Sequence, residues 1–182
     1  MVSQIDVSVA PTPLPGSRPW LQVVRGSLHV FTCAYRSFFT HVMAQALQAA
    51  GQGTAVLIVQ FLKGGINQGV QHPTQLNQNL DWLRCDTESC IQTLPVSATE
   101  QAAVQALWHH TQTVVLAGEY ALVVLDELSV AVQLGLIPEA EVVELIQQRP
   151  AYVDVILTGP DMPSSLLEVA DQVTELRRHP LP

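Results

Sequence analysis

An open, mainly parallel α/β sheet flanked by helices is the fold class this sequence predicts. Two observations carry it: short β-branched, nearly all-apolar runs alternate with segments of helical periodicity, and each run ends abruptly in polar or chain-breaking residues. Strands buried on both faces read as continuous apolar runs, and strand–helix alternation implies parallel pairing through right-handed crossovers.

Ser27–Cys33 is the first such run, and Ser37, Phe38, Phe39, Val42, Met43, Ala46, Leu47 and Ala50 follow it at helical spacing, with Gly51 and Gly53 as the stop. Thr54–Leu62 is the second strand. Ser97-Ala98-Thr99-Glu100 is a capping box that opens a helix with Ala103, Val104, Leu107, Trp108, Thr111 and Val115 inward, and Gly118 closes it. Tyr120–Leu125 is a third strand, ending in Asp126 and Glu127. Pro138 starts a helix with Val142, Val143 and Ile146 inward. Tyr152–Leu157, a short helix over Ser164–Ala170 and a strand over Gln172–Leu176 complete the series.

Residues 1–19 carry Pro11, Pro13, Pro15 and Pro19, which neither a helix nor a central strand tolerates. They are expected to form a tail or surface strap, with residues 20–182 as one domain. In such sheets ligands sit at the carboxyl ends of the strands, which directs attention to Thr32–Ser37, Lys63–Gly69, Asp126–Leu128 and Thr158–Pro160.

Composition narrows the function. The chain of 182 residues has a formal charge of −8, and of its eight basic residues only Lys63 is a lysine. Nucleic acid is an unsuitable partner, because phosphate-backbone binding draws on clustered Lys and Arg. Mean hydropathy is +0.24, yet no apolar run approaches the ~20 residues that span a bilayer. The N-terminus lacks a basic leader and apolar core, so the expected compartment is the cytoplasm. Cys33, Cys85 and Cys90 are odd in number and read as reduced thiols. Cys85 and Cys90 lack the C-x-x-C spacing of a zinc site, and the adjacent His109 and His110 diverge on a helix.

Four blocks, ALQAAGQGTAVLIVQFLKG (Ala46–Gly64), ALWHH (Ala106–His110), ALVVLDEL (Ala121–Leu128) and RPAYVDVILTGPDMPSSLLEVADQVTEL (Arg149–Leu176), resemble the corrinoid adenosyltransferase family in order and spacing. That family attaches the adenosyl group of ATP to the cobalt of cob(I)alamin. The resemblance implies a P-loop NTPase-like fold, a RecA-type three-layer sandwich, and ATP, Mg²⁺ and corrinoid as the chemistry's participants where that activity is kept. It also implies that members pair as dimers, so a homodimer or a protein hetero-partner is expected.

The family's phosphate cradle falls between Thr32 and Thr40. Counting back from Gly51, Phe38 stands at the phosphate-binding lysine and Phe39 at the magnesium-holding hydroxyl, and no glycine lies between Leu28 and Ala50. Left-handed geometry costs a Cβ-bearing residue about 1–2 kcal/mol, whereas burying a phenylalanine stabilises by about 1.5–3 kcal/mol. An apolar, collapsed loop is the expectation, with Tyr35, Phe38 and Phe39 either filling the cradle or forming an apolar patch at its mouth.

The remaining nucleotide-site candidates are Arg36, Ser37, Thr40 and Lys63. Asp126 and Glu127 match the family's metal-holding carboxylates, with capping of the following helix as the competing reading. Pro160 replaces a strand-end arginine, Cys90 and Gln92 stand where the family has corrinoid-pocket aromatics with Trp82 as a substitute, and the chain ends where the family continues into a lid. Two functions follow from the resemblance. One is a non-catalytic or strongly impaired member acting as a binding, scaffolding or regulatory protein. The other is an active adenosyltransferase with a non-standard phosphate site.

Overall fold

The computed structural model describes residues 25–177. The expected tail over residues 1–19 lies outside them. Chain order is β1 (Leu28–Cys33), α1 (Thr40–Gly51), β2 (Val56–Gln60), β3 (Thr74–Leu76), β4 (Leu80–Arg84), α2 (Ala98–Ala117), β5 (Leu122–Asp126), α3 (Leu128–Gln133), α4 (Glu139–Gln148), β6 (Asp154–Pro160), α5 (Ser164–Glu168) and β7 (Gln172–Leu176).

The strands form one sheet in the order β3-β4-β2-β5-β6-β1-β7, parallel throughout except for β3 against β4. Successive strand residues point to opposite faces, and the chain uses this to build two cores. Leu57, Val59, Val123, Leu125, Val155 and Leu157 pack with buried residues of α2, α3, α4 and α5. Phe31, Cys33, Val56, Ile58, Val124 and Ile156 face α1 and its Val42, Met43 and Ala46. The result is the three-layer α/β arrangement the sequence predicts.

Local signals hold where they carry strong chemistry. Ser97 and Glu100 form the reciprocal capping box of α2, and Gly118 ends that helix at φ 69°, a left-handed conformation that glycine takes without a Cβ penalty. Three expectations need correction. The first helix starts at Thr40, not Ser37, because Phe39 turns into the core and becomes its N-cap without a side-chain cap bond. The last helix is shorter, ending at Glu168. Helix α3 was not among the expected elements, and neither was the β3–β4 hairpin. Its turn places Asn77 and Gln78 at φ 55° and 61° without a glycine, so the usual hairpin signature is missing.

The two phenylalanines divide the roles expected of them. Phe39 is 1% exposed in the core beneath α1, whereas Phe38 is 49% exposed. Filler and patch are therefore split between adjacent residues. Replacing Phe39 with Ala is expected to destabilise the fold by about 3–5 kcal/mol, and Phe38→Ala to stay within about 0.5 kcal/mol of the parent. Urea unfolding of the two variants checks this, and equal effects would overturn the assignment.

Candidate functional site

Sheet register builds the site. Gln60 pairs with Arg84 on one side and Asp126 on the other, and the Leu125–Leu157 pairing brings Thr158 beside Asp126. Register neighbours in a parallel sheet share a face, so Arg84, Gln60, Asp126 and Thr158 form a polar row above Ile58, Val124 and Ile156. The row is hydrogen-bonded end to end. Arg84 Nε (2.9 Å) and Trp82 Nε1 (3.0 Å) donate to Gln60 Oε1, and Gln60 Nε2 donates to Asp126 Oδ2 at 2.8 Å. Thr158 Oγ1 donates to Asp126 Oδ1 at 2.7 Å and accepts the Glu127 N–H at 3.0 Å.

Asp126 is fully buried, and each carboxylate oxygen already accepts a bond. Burial is the main influence on it and raises its pKa, against the opposing bonds from Thr158 and Gln60. Gln60 and Thr158 are thus the donors that make a buried carboxylate tolerable, since an unpaired one costs far more.

Glu127 is handled differently. It sits at φ 56°, a conformation that costs a residue with a Cβ about 1–2 kcal/mol, at the junction of β5 and α3. There it aims its carboxylate away from the helix: it is the N-cap residue of α3, yet its side chain makes no cap bond. The capping reading is therefore replaced. Arg36 Nε donates to Glu127 Oε1 at 2.5 Å and an Arg36 Nη2 to Oε2 at 2.8 Å, while Lys63 Nζ lies 3.2 Å from Oε2. The same Arg36 nitrogen also donates to the carbonyl of Ile91 at 3.1 Å. Burial pushes the Glu127 pKa up, but the Arg36 bonds and the Lys63 charge outweigh it and hold the group below its ordinary value.

Of the sequence candidates, Arg36, Lys63 and Glu127 converge on one ion-pair cluster, and Asp126 adjoins it within the polar row. Ser37 lies in the β1–α1 connection, half-buried, and Thr40 begins α1, exposed. Among the described residues neither side chain hydrogen-bonds to this cluster. Gln60 and Ile91 complete the site without having been candidates, and Thr158 belongs to the strand-end segment Thr158–Pro160 that the sequence singled out. A single glutamine inside the apolar run TAVLIVQFL was the signal for the first. Trp82, named as a corrinoid-pocket substitute, packs partly buried against the core on the α1 side of the sheet and donates its Nε1–H to Gln60. Burial pushes the Cys85 thiol up to about 11, so it stays protonated at neutral pH.

The family model for ATP:corrinoid adenosyltransferase BtuR/CobO/CobP matches residues 24–181. The chain belongs to the corrinoid adenosyltransferase family. It is 30% identical over 158 residues to the corrinoid adenosyltransferase of Escherichia coli K12, covering 84% of this chain and 77% of that one. Against the corrinoid adenosyltransferase CobA of Salmonella typhimurium the identity is 30% over 161 residues, covering 86% and 79%. The Pseudomonas aeruginosa corrinoid adenosyltransferase is 28% identical over 162 residues, covering 84% and 75%. Among the described residues no helix is long and apolar enough to cross a membrane.

The divalent cation implied by a corrinoid adenosyltransferase does not fit these residues as they stand. Magnesium requires near-octahedral oxygen ligands. Both Asp126 oxygens accept protein hydrogen bonds, both Glu127 oxygens lie on cations, and Phe39, at the position the resemblance gives to the metal-holding hydroxyl, is buried in the core. The arrangement instead fixes four strand ends to one another.

Arg36→Ala leaves the nearly buried Glu127 with Lys63 alone. A fully buried pair broken this way costs about 3–5 kcal/mol. Because Arg36 keeps 30% of its side chain exposed, a loss of roughly 1–3 kcal/mol is expected after solvent screening. The sign with pH follows from the depressed Glu127 pKa. The parent's advantage is full above the ordinary value near 4.5 and fades as pH falls through the lowered folded value. Parallel urea titrations of parent and variant at pH 7 and at pH 3.5–4 check it; a constant difference would contradict the pairing.

Proposed function

We propose that this chain is a non-catalytic or strongly impaired member of the corrinoid adenosyltransferase family, acting in the cytoplasm as a binding, scaffolding or regulatory protein. The observation that carries the reading is the engagement of Glu127 by Arg36 and Lys63. These are the cations the sequence offers for a triphosphate, and both are spent on an internal carboxylate.

Several further features support it. Backbone cradles hold phosphate by converging N–H groups that glycines make accessible, and the β1–α1 connection here contains none. Its Phe39 is committed to the core, so recovering an open loop would sacrifice that burial. Each lost charge contact to a phosphoryl group in a water-excluded site is worth several kcal/mol of catalysis. A binding role needs none of them. Phe38, half-exposed within this same connection, offers apolar surface for self-association or for a protein hetero-partner.

Calorimetric titration with Mg-ATP, with and without cob(II)alamin, is the test, followed by an assay for adenosyl transfer to the reduced corrinoid. The expected outcome is affinity weaker than ~1 mM, about −4 kcal/mol, and no transfer. Micromolar Mg-ATP binding with turnover would establish the active alternative.

A further inference from the structure

We infer that the outer edge of β7 is a self-complementary pairing surface, on which a second copy of this chain lays its own β7 antiparallel, with Thr174 facing Thr174 across a two-fold axis. The inference goes beyond the reading above and does not depend on whether the chain transfers adenosyl.

The sheet ends differently on its two sides. At one end β3 is a strand of three residues, too short to offer much edge. At the other end β7 pairs with β1 along the whole of Gln172–Leu176. Among the described residues no strand lies on its outer side, so a row of backbone N–H and C=O groups there is left for a further strand. Natural edges are commonly blunted by proline or lysine, and β7 contains neither. It carries instead Val173 and Leu176, 50% and 38% exposed, one on each face of the sheet.

Charge decides which strand fits. The segment DQVTELR (Asp171–Arg177) is acidic at its start and basic at its end. Two-fold interfaces set the same patch against itself, and identical edge strands then meet antiparallel. Centred on Thr174, the pair places Asp171 opposite Arg177 of the second copy, Gln172 opposite Leu176 and Val173 opposite Glu175. Symmetry repeats each contact, so the acid–base pair closes both ends. A centre one residue earlier would set Asp171 against Glu175, and one residue later Glu175 against itself. Like charges directly opposite are destabilising. Of these three registers, the Thr174 centre is the one that opposes unlike charges, and it sets all of Gln172–Leu176 against itself.

The charged groups are placed for this role. The Arg177 side chain is 76% exposed, and its contact with Glu175, at 2.7 Å, lies on the face it would share with Asp171 of the second copy. Asp171 accepts the Leu28 N–H at 2.7 Å through Oδ2, which fixes its carboxylate at the start of the edge without using Oδ1 in that bond.

The experiment is sedimentation equilibrium on the full chain over a concentration series, with cysteine cross-linking as the test of register. The parent is expected at twice the 19.8 kDa chain mass. Arg177→Glu, a change at an exposed position, is expected to weaken the dimer at least ~10-fold, about 1.4 kcal/mol, and Phe38→Ala to leave it unchanged. Directly opposed antiparallel residues have Cα atoms about 4.5–5.5 Å apart, inside the disulfide range, whereas diagonal neighbours lie about 7–8 Å apart. Thr174→Cys is therefore expected to form a covalent dimer on mild oxidation, and Val173→Cys to give no more than the parent with its own cysteines. Circular dichroism checks each variant. A parent that stays monomeric at every concentration overturns the inference and leaves the edge to another occupant, such as residues 1–24 of the same chain. So does a dimer that Phe38→Ala dissolves, one that Arg177→Glu leaves at full strength, or one that Thr174→Cys does not lock. None of these results bears on Mg-ATP binding or adenosyl transfer, which decide the reading above separately.

Discussion

The bidentate contact between Arg36 and Glu127 organises the carboxyl end of this sheet. It joins the β1–α1 connection to the β5–α3 junction, and Lys63 adds the exit of β2. Through the Ile91 carbonyl, Arg36 also holds the segment that leads toward α2. Four parts of the chain, distant in sequence, meet on one guanidinium and one carboxylate. The Glu127 backbone takes a left-handed conformation to present that carboxylate, so local strain is accepted where it serves long-range attachment.

Behind the ion pair, the polar row solves a different problem. Four strand ends in register place Arg84, Gln60, Asp126 and Thr158 side by side where the apolar core ends. Asp126 is too buried to rely on water, and each of its oxygens is satisfied by a neighbouring strand. Among the described residues no buried side-chain nitrogen or oxygen lacks a partner. A network of this kind is favourable only when complete. The row therefore resists exchanging any one donor for a metal ion, because displacing Thr158 or Gln60 also disturbs the Glu127 N–H or the Trp82 and Arg84 contacts.

The sheet was largely legible because its strands carry burial on both faces in their composition, and no helix can use so many adjacent β-branched residues as well. Capping at Ser97 and the stop at Gly118 were legible for the same reason: each is a local signal with one physical meaning. The β3–β4 hairpin was not, since its turn uses asparagine and glutamine where glycine usually stands, and its short strands are stabilised by pairing. In the site, Arg36, Lys63, Asp126 and Glu127 were readable as chemistry at strand ends, but their partnerships were not. Which cation meets which carboxylate depends on register and on the direction of a loop, and neither is written in residue spacing. Gln60 shows the limit well: a polar residue in an apolar run announces a buried hydrogen bond without naming its partner.

Charge at longer range acts in the same direction as the local contacts. Arg36 and Lys63 both face the Glu127 carboxylate directly, so little positive potential is left at the strand ends. The chain as a whole carries −8, a field that repels a polyanion approaching from solvent. A phosphate site elsewhere overcomes such repulsion with a cradle of converging N–H groups, whereas the β1–α1 connection here carries no glycine and commits Phe39 to the core. Restoring a lysine at position 38 would add one charge to an exposed position and leave the packing of Phe39 and the Glu127 contacts in place. Single reversions toward the family pattern therefore oppose several interactions at once, and the present arrangement is self-consistent as a closed, internally paired end of the sheet.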